Sequence, residues 1–167
     1  MVTSVTTAWD IAASVPDPEL PMVTLADLGI LRSVDVDGDA ATVTITPTYS
    51  GCPAMREISH DLRHRLQQAG FADVTVKTSL APAWSSDWIT ADGRAKLAAA
   101  GIAPPNPAGS RPAGRIPLSL TVRPRTVHCP RCDSTATRET SAFSATACKA
   151  LYRCTSCDEP FEYVKEI

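Results

Sequence analysis

The chain has 167 residues, 44% of them hydrophobic and 20% charged, with a formal net charge of −2. That is enough apolar material for a core and too much for a disordered chain, and the balanced charge excludes a molecule-wide polyanion binder. No apolar run approaches the roughly 18 residues of a spanning helix. The opening MVTSVTTAWD lacks the basic start and apolar segment of a secretory signal, so a cytoplasmic protein without a membrane partner is expected.

In chain order, residues 7–14 read as a short helix that half-buries Trp9, Ile11 and Ala12. VPDPELP (15–21) has three prolines in its last six residues, which forces an irregular loop bearing Asp17 and Glu19. LGILRSVDV (28–36) has the β-branched content of a strand, and Asp37-Gly38 signals a hairpin because glycine accepts positive φ at little cost. ATVTITP (41–47) alternates Val43 and Ile45 with threonines, a half-buried strand returning antiparallel to the first. PAMREISHDLRHRLQQAG (53–70) spaces Met55, Ile58, Leu62, Leu66 and Ala69 by three and four, one apolar helical face. Pro53 suits its first position and Gly70 its stop. FADVTVKTSL (71–80) follows as a strand with Val74, Val76 and Leu80 on one side. A stretch bearing Trp84 and Trp88 then leads to a last helix in TADGRAKLAAAG (90–101). The order β–β–α–β–α behind a leading helix predicts an α+β domain, a small mixed sheet with helices on one face.

Composition changes after that helix. GIAPPNPAGSRPAGRIP (101–117) is too dense in proline and glycine for regular structure and reads as a linker, taken as 104–122, between modules 1–103 and 123–167. Residues 1–110 carry 7 basic and 12 acidic side chains, and residues 111–167 carry 9 and 6. Five of the six cysteines fall in the last 39 residues.

CPRC (129–132) and CTSC (154–157), with 21 residues between them, have the spacing of a zinc ribbon. Four soft thiolates from Cys129, Cys132, Cys154 and Cys157 give closed tetrahedral coordination, and a tail this short needs the metal in order to fold. Rubredoxin-like iron is the alternative ion. SAFSATACKALYRC (141–154) reads as the strand between the knuckles. Cys148 reads as a small buried hydrophobe beside the site, and His128 as a ligand only if one cysteine failed. A closed four-sulfur site has no open position for catalysis, so the metal is expected to be a structural staple. The tail could also touch nucleic acid through Arg111, Arg115, Arg123, Arg125 and Arg131. These are spread along a linker without aromatics between them, which favours solvated charge over a nucleic-acid partner.

Cys52, in TPTYSGCPAMREI (46–58), falls where a strand ends and a helix begins. There, unpaired N–H groups and the helix dipole favour a thiolate. Such a sulfur could attack a disulfide, carry a persulfide or hold iron; the plain alternative is a buried structural cysteine. Thr48 shares the turn and could donate a hydrogen bond to the sulfur. Asp17 and Glu19 stand in a loop that could fold over such a site or merely be solvated. His60 and His64, four apart among arginines, read as surface residues.

DPELPMVTLADLGILRSV (17–34) with TPTYSGCPAM (46–55) resembles the small domain of SufT-like iron–sulfur assembly factors, in which an acidic loop faces a Thr…Cys-Pro turn. CPRC, FSATACKALYRC, CDEPFEYVK and the segment from Trp84 to Pro105 resemble the PaaD family, an accessory component of the bacterial phenylacetyl-CoA epoxidase system. FSAT departs from it where a glycine would stand second, leaving the metal pairs intact. The resemblance implies an accessory role in phenylacetate breakdown: maturing or repairing an iron or iron–sulfur centre of the epoxidase, with its oxygenase and reductase subunits as partners. By position, Cys52 would be the reactive or metal-holding thiol, carrying transient iron or a cluster, with Asp17, Glu19 and Thr48 around it. The four tail cysteines would hold structural zinc. One cysteine cannot hold a cluster alone, so a homodimer could share a ligand set across two Cys52 thiols. The chain shows neither di-iron helix pairs nor a nucleotide-binding glycine motif, so the oxygenation itself is expected on another polypeptide.

Overall fold

The computed structural model describes residues 5–106 and 126–166. Most of the expected linker, with Arg111, Arg115, Arg123 and Arg125, lies outside them. The chain divides into two compact units, 1–97 and 98–167.

The first unit opens with α1 (Val5–Ala13), which buries Ala8 and Ala12 and leaves Trp9 exposed. The chain then runs through the proline loop to β1 (Leu31–Asp37), turns at Gly38 (φ 62°) and returns as β2 (Ala40–Ile45). The two strands pair antiparallel, from Leu31 opposite Ile45 to Asp37 opposite Ala40. After α2 (Met55–Gln68), β3 (Asp73–Thr78) joins β2 in parallel, giving a mixed sheet of order β1-β2-β3. The alternation read from the sequence sets the buried face. Val34 lies opposite Val43, and Ala41 opposite Val74. Helix α2 adds Ile58, Leu62 and Leu66, all fully buried, each contributing about 2 kcal/mol of hydrophobic stabilisation. α1 packs on β1 and on α2, so both helices cover this one face.

Two local expectations shift. The first α-helical residue is Met55, with Pro53 and Ala54 forming a turn before it. Leu80 is exposed: β3 ends at Thr78, two residues before it, so the expected strand face does not reach it. Beyond it come a single 3-10 turn (Ser86–Trp88) and α3 (Ala91–Ala99).

The second unit is a four-stranded sheet of order β4-β7-β6-β5, built from β4 (Ile102–Ala103), β5 (Thr137–Ser141), β6 (Lys149–Cys154) and β7 (Pro160–Val164). Ile102 and Ala103, which the sequence reading assigns to the first module, pair in parallel with Glu162 and Tyr163 and so group with this unit. The expected continuous strand over 141–154 is two elements: β5 ends at Ser141, and only 149–154 is β6. The intervening turn is held by side chains of β7 and its end together with its own Ser144. Ser144 Oγ donates to Glu162, Lys149 Nζ pairs with Glu162 Oε2 at 2.9 Å, and Lys165 Nζ donates to Ala147 O at 2.9 Å. Cys148 ends this turn, at the far end of β6 from Cys154, and is therefore not beside the cysteine cluster.

Candidate functional site

Cys129, Cys132, Cys154 and Cys157 bring their sulfurs within 4.8 Å of one another. Two separations, Cys129–Cys157 at 3.7 Å and Cys132–Cys154 at 3.6 Å, fall close to the roughly 3.8 Å edge of a tetrahedron with 2.3 Å metal–sulfur bonds. Each pair is a knuckle of the same build. The N–H of Cys129 donates to Ser134 O at 3.0 Å, and that of Cys154 to Glu159 O at 2.9 Å. The residue after the second cysteine has positive φ in both, Asp133 at 58° and Asp158 at 62°. Aspartate tolerates that conformation better than most residues. Arg131 Nη1 to Glu159 Oε2 (2.8 Å) and Ser134 Oγ to Ser156 Oγ (2.8 Å) tie one knuckle to the other. Cys129 and Cys154 are buried, Cys132 and Cys157 exposed. His128 is exposed and pairs with Asp133.

Protons are unevenly shared among these sulfurs. At Cys132 the N–H of Ser134 favours the thiolate, but the sulfurs of Cys157, Cys154 and Cys129, with burial, outweigh it and push the thiol up to about 12. At Cys154 burial opposes ionisation, yet the N–H groups of Cys157 and Ser156 and the thiols of Cys132 and Cys157 bring it down to about 6. Cys129, Cys132, Cys154 and Cys157 would hold a divalent cation as four thiolates, whose charge would end this competition for protons. The donor set therefore fits a resident metal, and the unit is a metal-binding ribbon.

In the first unit, strand polarity gathers the other predicted residues. Leu31 begins β1 opposite Ile45, which ends β2, and Ile45 lies beside Thr78, which ends β3. The acidic loop before β1, the Cys52 turn after β2 and the segment after β3 therefore all leave the same end of the sheet. Backbone bonds bind these exits: Thr46 N–H to Ile30 O and Ser79 N–H to Ile45 O, both 2.9 Å. Cys52 is half-buried, its N–H donating to Tyr49 O at 3.2 Å. It lies just ahead of α2, whose cap residue Ala54 makes no side-chain capping bond. Thr48 and Glu19 are half-buried, and Asp17 is 6% exposed. Asp17 Oδ1 accepts the N–H groups of Glu19 and Leu20, both at 2.9 Å, so this carboxylate shapes its own loop. His60 and His64 are stacked on each other on the outer side of α2.

Sequence reasoning passed over Asp27 and Lys96 and gave Trp84 no partner. Thr24 and Asp27 form a reciprocal box: Asp27 N–H donates to Thr24 Oγ1 (3.1 Å) and Thr24 N–H to Asp27 Oδ2 (2.9 Å). Thr-x-x-Asp is a legible signal of it. Lys96 Nζ reaches the same Asp27 Oδ2 at 2.9 Å from 69 residues away, and Trp84 Nε1 donates to Leu28 O at 2.9 Å. No local pattern announces either contact.

Comparison with known proteins follows the same division. Residues 9–78 match the iron–sulfur cluster assembly protein family, and residues 116–165 match the PaaD zinc beta ribbon domain. The class is thus an iron–sulfur assembly domain followed by a zinc beta ribbon. Over 157 residues the chain is 44% identical to an Escherichia coli (strain K12) protein that bears the name of a 1,2-phenylacetyl-CoA epoxidase subunit, covering 94% of this chain and 90% of that one. The chain belongs to this PaaD family of epoxidase subunits. An Fe-S protein maturation auxiliary factor of Porphyromonas gingivalis is 35% identical over 86 residues, 50% of this chain and 81% of the relative. The crystal structure of a domain of unknown function, DUF59, from Bacillus anthracis superposes with a TM-score of 0.52 at 26% identity, covering 56% of this chain and 90% of that one. Among the described residues, no helix is long and apolar enough to cross a membrane.

Proposed function

We propose that this protein is an accessory subunit that matures or repairs an iron or iron–sulfur centre of the multicomponent phenylacetyl-CoA epoxidase, and that it acts in the cytoplasm. Cys52 is the transient ligand, binding incoming iron as a thiolate and giving it up to the client. Asp17 shapes the loop opposite, and Glu19 and Thr48 supply polar surroundings. Cys129, Cys132, Cys154 and Cys157 hold zinc, whose part is to cross-link the ribbon. Zinc is favoured over iron because a site with four sulfur ligands and no open position suits a redox-inert staple. The oxygenase and reductase subunits are the partners, and a dimer pairing two Cys52 thiols would supply a second ligand.

The observation that carries this reading is the union, in one chain, of two relationships. Residues 9–78, which bear Cys52, match the iron–sulfur cluster assembly family, half of the chain is 35% identical to a maturation factor, and the whole chain belongs to a family of epoxidase subunits. The test is anaerobic reconstitution with iron and sulfide of the native protein and of Cys52→Ala. Iron bound beyond the ribbon's ion is expected to fall to background in the variant, and equal loading of both would discard the reading.

The E. coli relative is named for the epoxidase complex itself, and this favours a second reading, a structural piece that docks on the epoxidase without handling iron. It predicts stable co-purification with the catalytic chains and undiminished growth on phenylacetate when Cys52 is serine.

A further inference from the structure

The segment from Trp84 to Lys96 lies beyond residues 9–78, the stretch that matches the iron–sulfur assembly family. It nevertheless packs on the loop system of that domain, and its close contacts converge on one short turn, residues 24–30. Trp84, itself buried, donates to Leu28 O. Thr90 N–H donates to Asp27 O at 2.9 Å. The packing leaves no slack. A Cβ on Gly93 would stand 2.8 Å from Asp27 O, and one on Gly29 would stand 2.5 Å from Trp88 Cβ. The Arg32 guanidinium lies 3.7 Å over the Trp88 ring. At the centre, Asp27 Oδ2 accepts from both Lys96 Nζ and Thr24 N–H.

From Thr24 the linkage runs into the acidic loop. Thr24 forms a β-bridge with Pro16, Asp17 N–H donates to Val23 O at 3.0 Å, and Leu25 N–H to Val15 O at 2.9 Å. It also runs toward the Cys52 turn, through Ile30 N–H to Leu25 O and Thr46 N–H to Ile30 O, each 2.9 Å. One carboxylate thus ties an appended segment to the 24–30 turn, whose backbone is bonded on one side to the acidic loop and on the other to Thr46, where the chain leaves β2 for the Cys52 turn.

We propose that residues 84–96 form a brace that sets the acidic loop against the Cys52 turn, with Asp27 and Lys96 as positioning residues for that site. The inference rests on the assembly role assigned above to Cys52. Such a brace is what an assembly domain committed to one client would need. The shared sheet supplies the thiol, and the appended segment fixes the shape of the rim that meets the client. Lysine is suited to the task because its flexible stem carries a point charge to a carboxylate already held by an amide.

The test uses the full-length, metal-loaded protein and two variants, Lys96→Met and Lys96→Arg. Hydrogen exchange of the 15–27 amides is expected to be roughly five- to tenfold faster in Lys96→Met and close to native in Lys96→Arg, with β2 and α2 unchanged in both. Alkylation of Cys52 by iodoacetamide, followed on its own peptide by mass spectrometry, is expected to change about threefold or more in Lys96→Met and to be restored in Lys96→Arg. Unchanged exchange at 15–27 overturns the brace. So does faster exchange spread evenly over β2 and α2, which would make the pair a general stabiliser. A loosened loop with unaltered Cys52 alkylation overturns the positioning role. Iron loading of Cys52→Ala is read separately, so failure of the assembly role leaves the exchange and alkylation results intact.

Discussion

Asp27 is where several backbone and side-chain demands meet in one group. Burial alone would raise its pKa, but the Thr24 N–H and the Lys96 ammonium outweigh burial and hold the carboxyl below the ordinary aspartate value. A carboxyl depressed in the folded state stabilises fully above its unfolded pKa and loses that contribution as pH falls through the folded value. Asp27→Asn is therefore expected to destabilise the first unit by about 1–2 kcal/mol at neutral pH. The gap from the native protein should close as pH falls below about 4. Thermal unfolding of both proteins across that range checks it, and a gap that persists at low pH would assign the loss to packing. Glu162 follows the same rule in the ribbon. Burial raises its pKa, Ser144 and Lys149 outweigh burial, and the net direction is down. That carboxylate neutralises Lys149, whose side chain is only 6% exposed, and so keeps the turn after β5 closed.

Among the elements, the turn at 24–30 depends on a residue without a side chain. Gly29 has φ of 68°, and a Cβ there would also stand 2.7 Å from Trp88 O. Alanine would meet both the left-handed penalty and a backbone collision, so Gly29→Ala is expected to cost about 3 kcal/mol. Denaturant titration measures this. A loss below about 1 kcal/mol would mean that the 84–93 segment can retreat, against the close packing of Trp88 on Gly29. Much at this scale is legible from local pattern. Apolar spacing marks α2, Asp37-Gly38 marks the β1–β2 hairpin, and alternation identifies the buried face of β2. Leu80 is not legible in this way, because the strand pattern continues past Thr78, where β3 ends.

In the whole molecule the two units have separate cores of very different make. The first packs two helices on a sheet. The second has a buried cluster of Ala103, Val127, Cys129, Ala150, Tyr152, Cys154, Phe161 and Tyr163, in which two of the eight belong to the four-cysteine group that could hold a metal. Removing the metal leaves that cluster small and its sulfurs competing for protons, so the ribbon should lose its structure while the first unit keeps its own. Under reducing conditions a strong chelator is expected to abolish protection of the β5, β6 and β7 amides and to leave β1, β2 and β3 as they were. Protection retained in the ribbon after metal removal would assign its stability to packing instead.

Local pattern alone marks the four cysteines that cluster in the ribbon, the main helix, the hairpin and the cysteine just ahead of that helix, and its motifs point to the family. Each of these is written in residues close together, where spacing and turn chemistry act directly on the backbone. That β3 pairs with β2 in parallel, that Ile102 and Ala103 join the ribbon sheet, and that Lys96 reaches Asp27 emerge only in the folded chain. Those outcomes depend on pairing between segments far apart in the chain, and such pairing leaves no periodic trace in either partner.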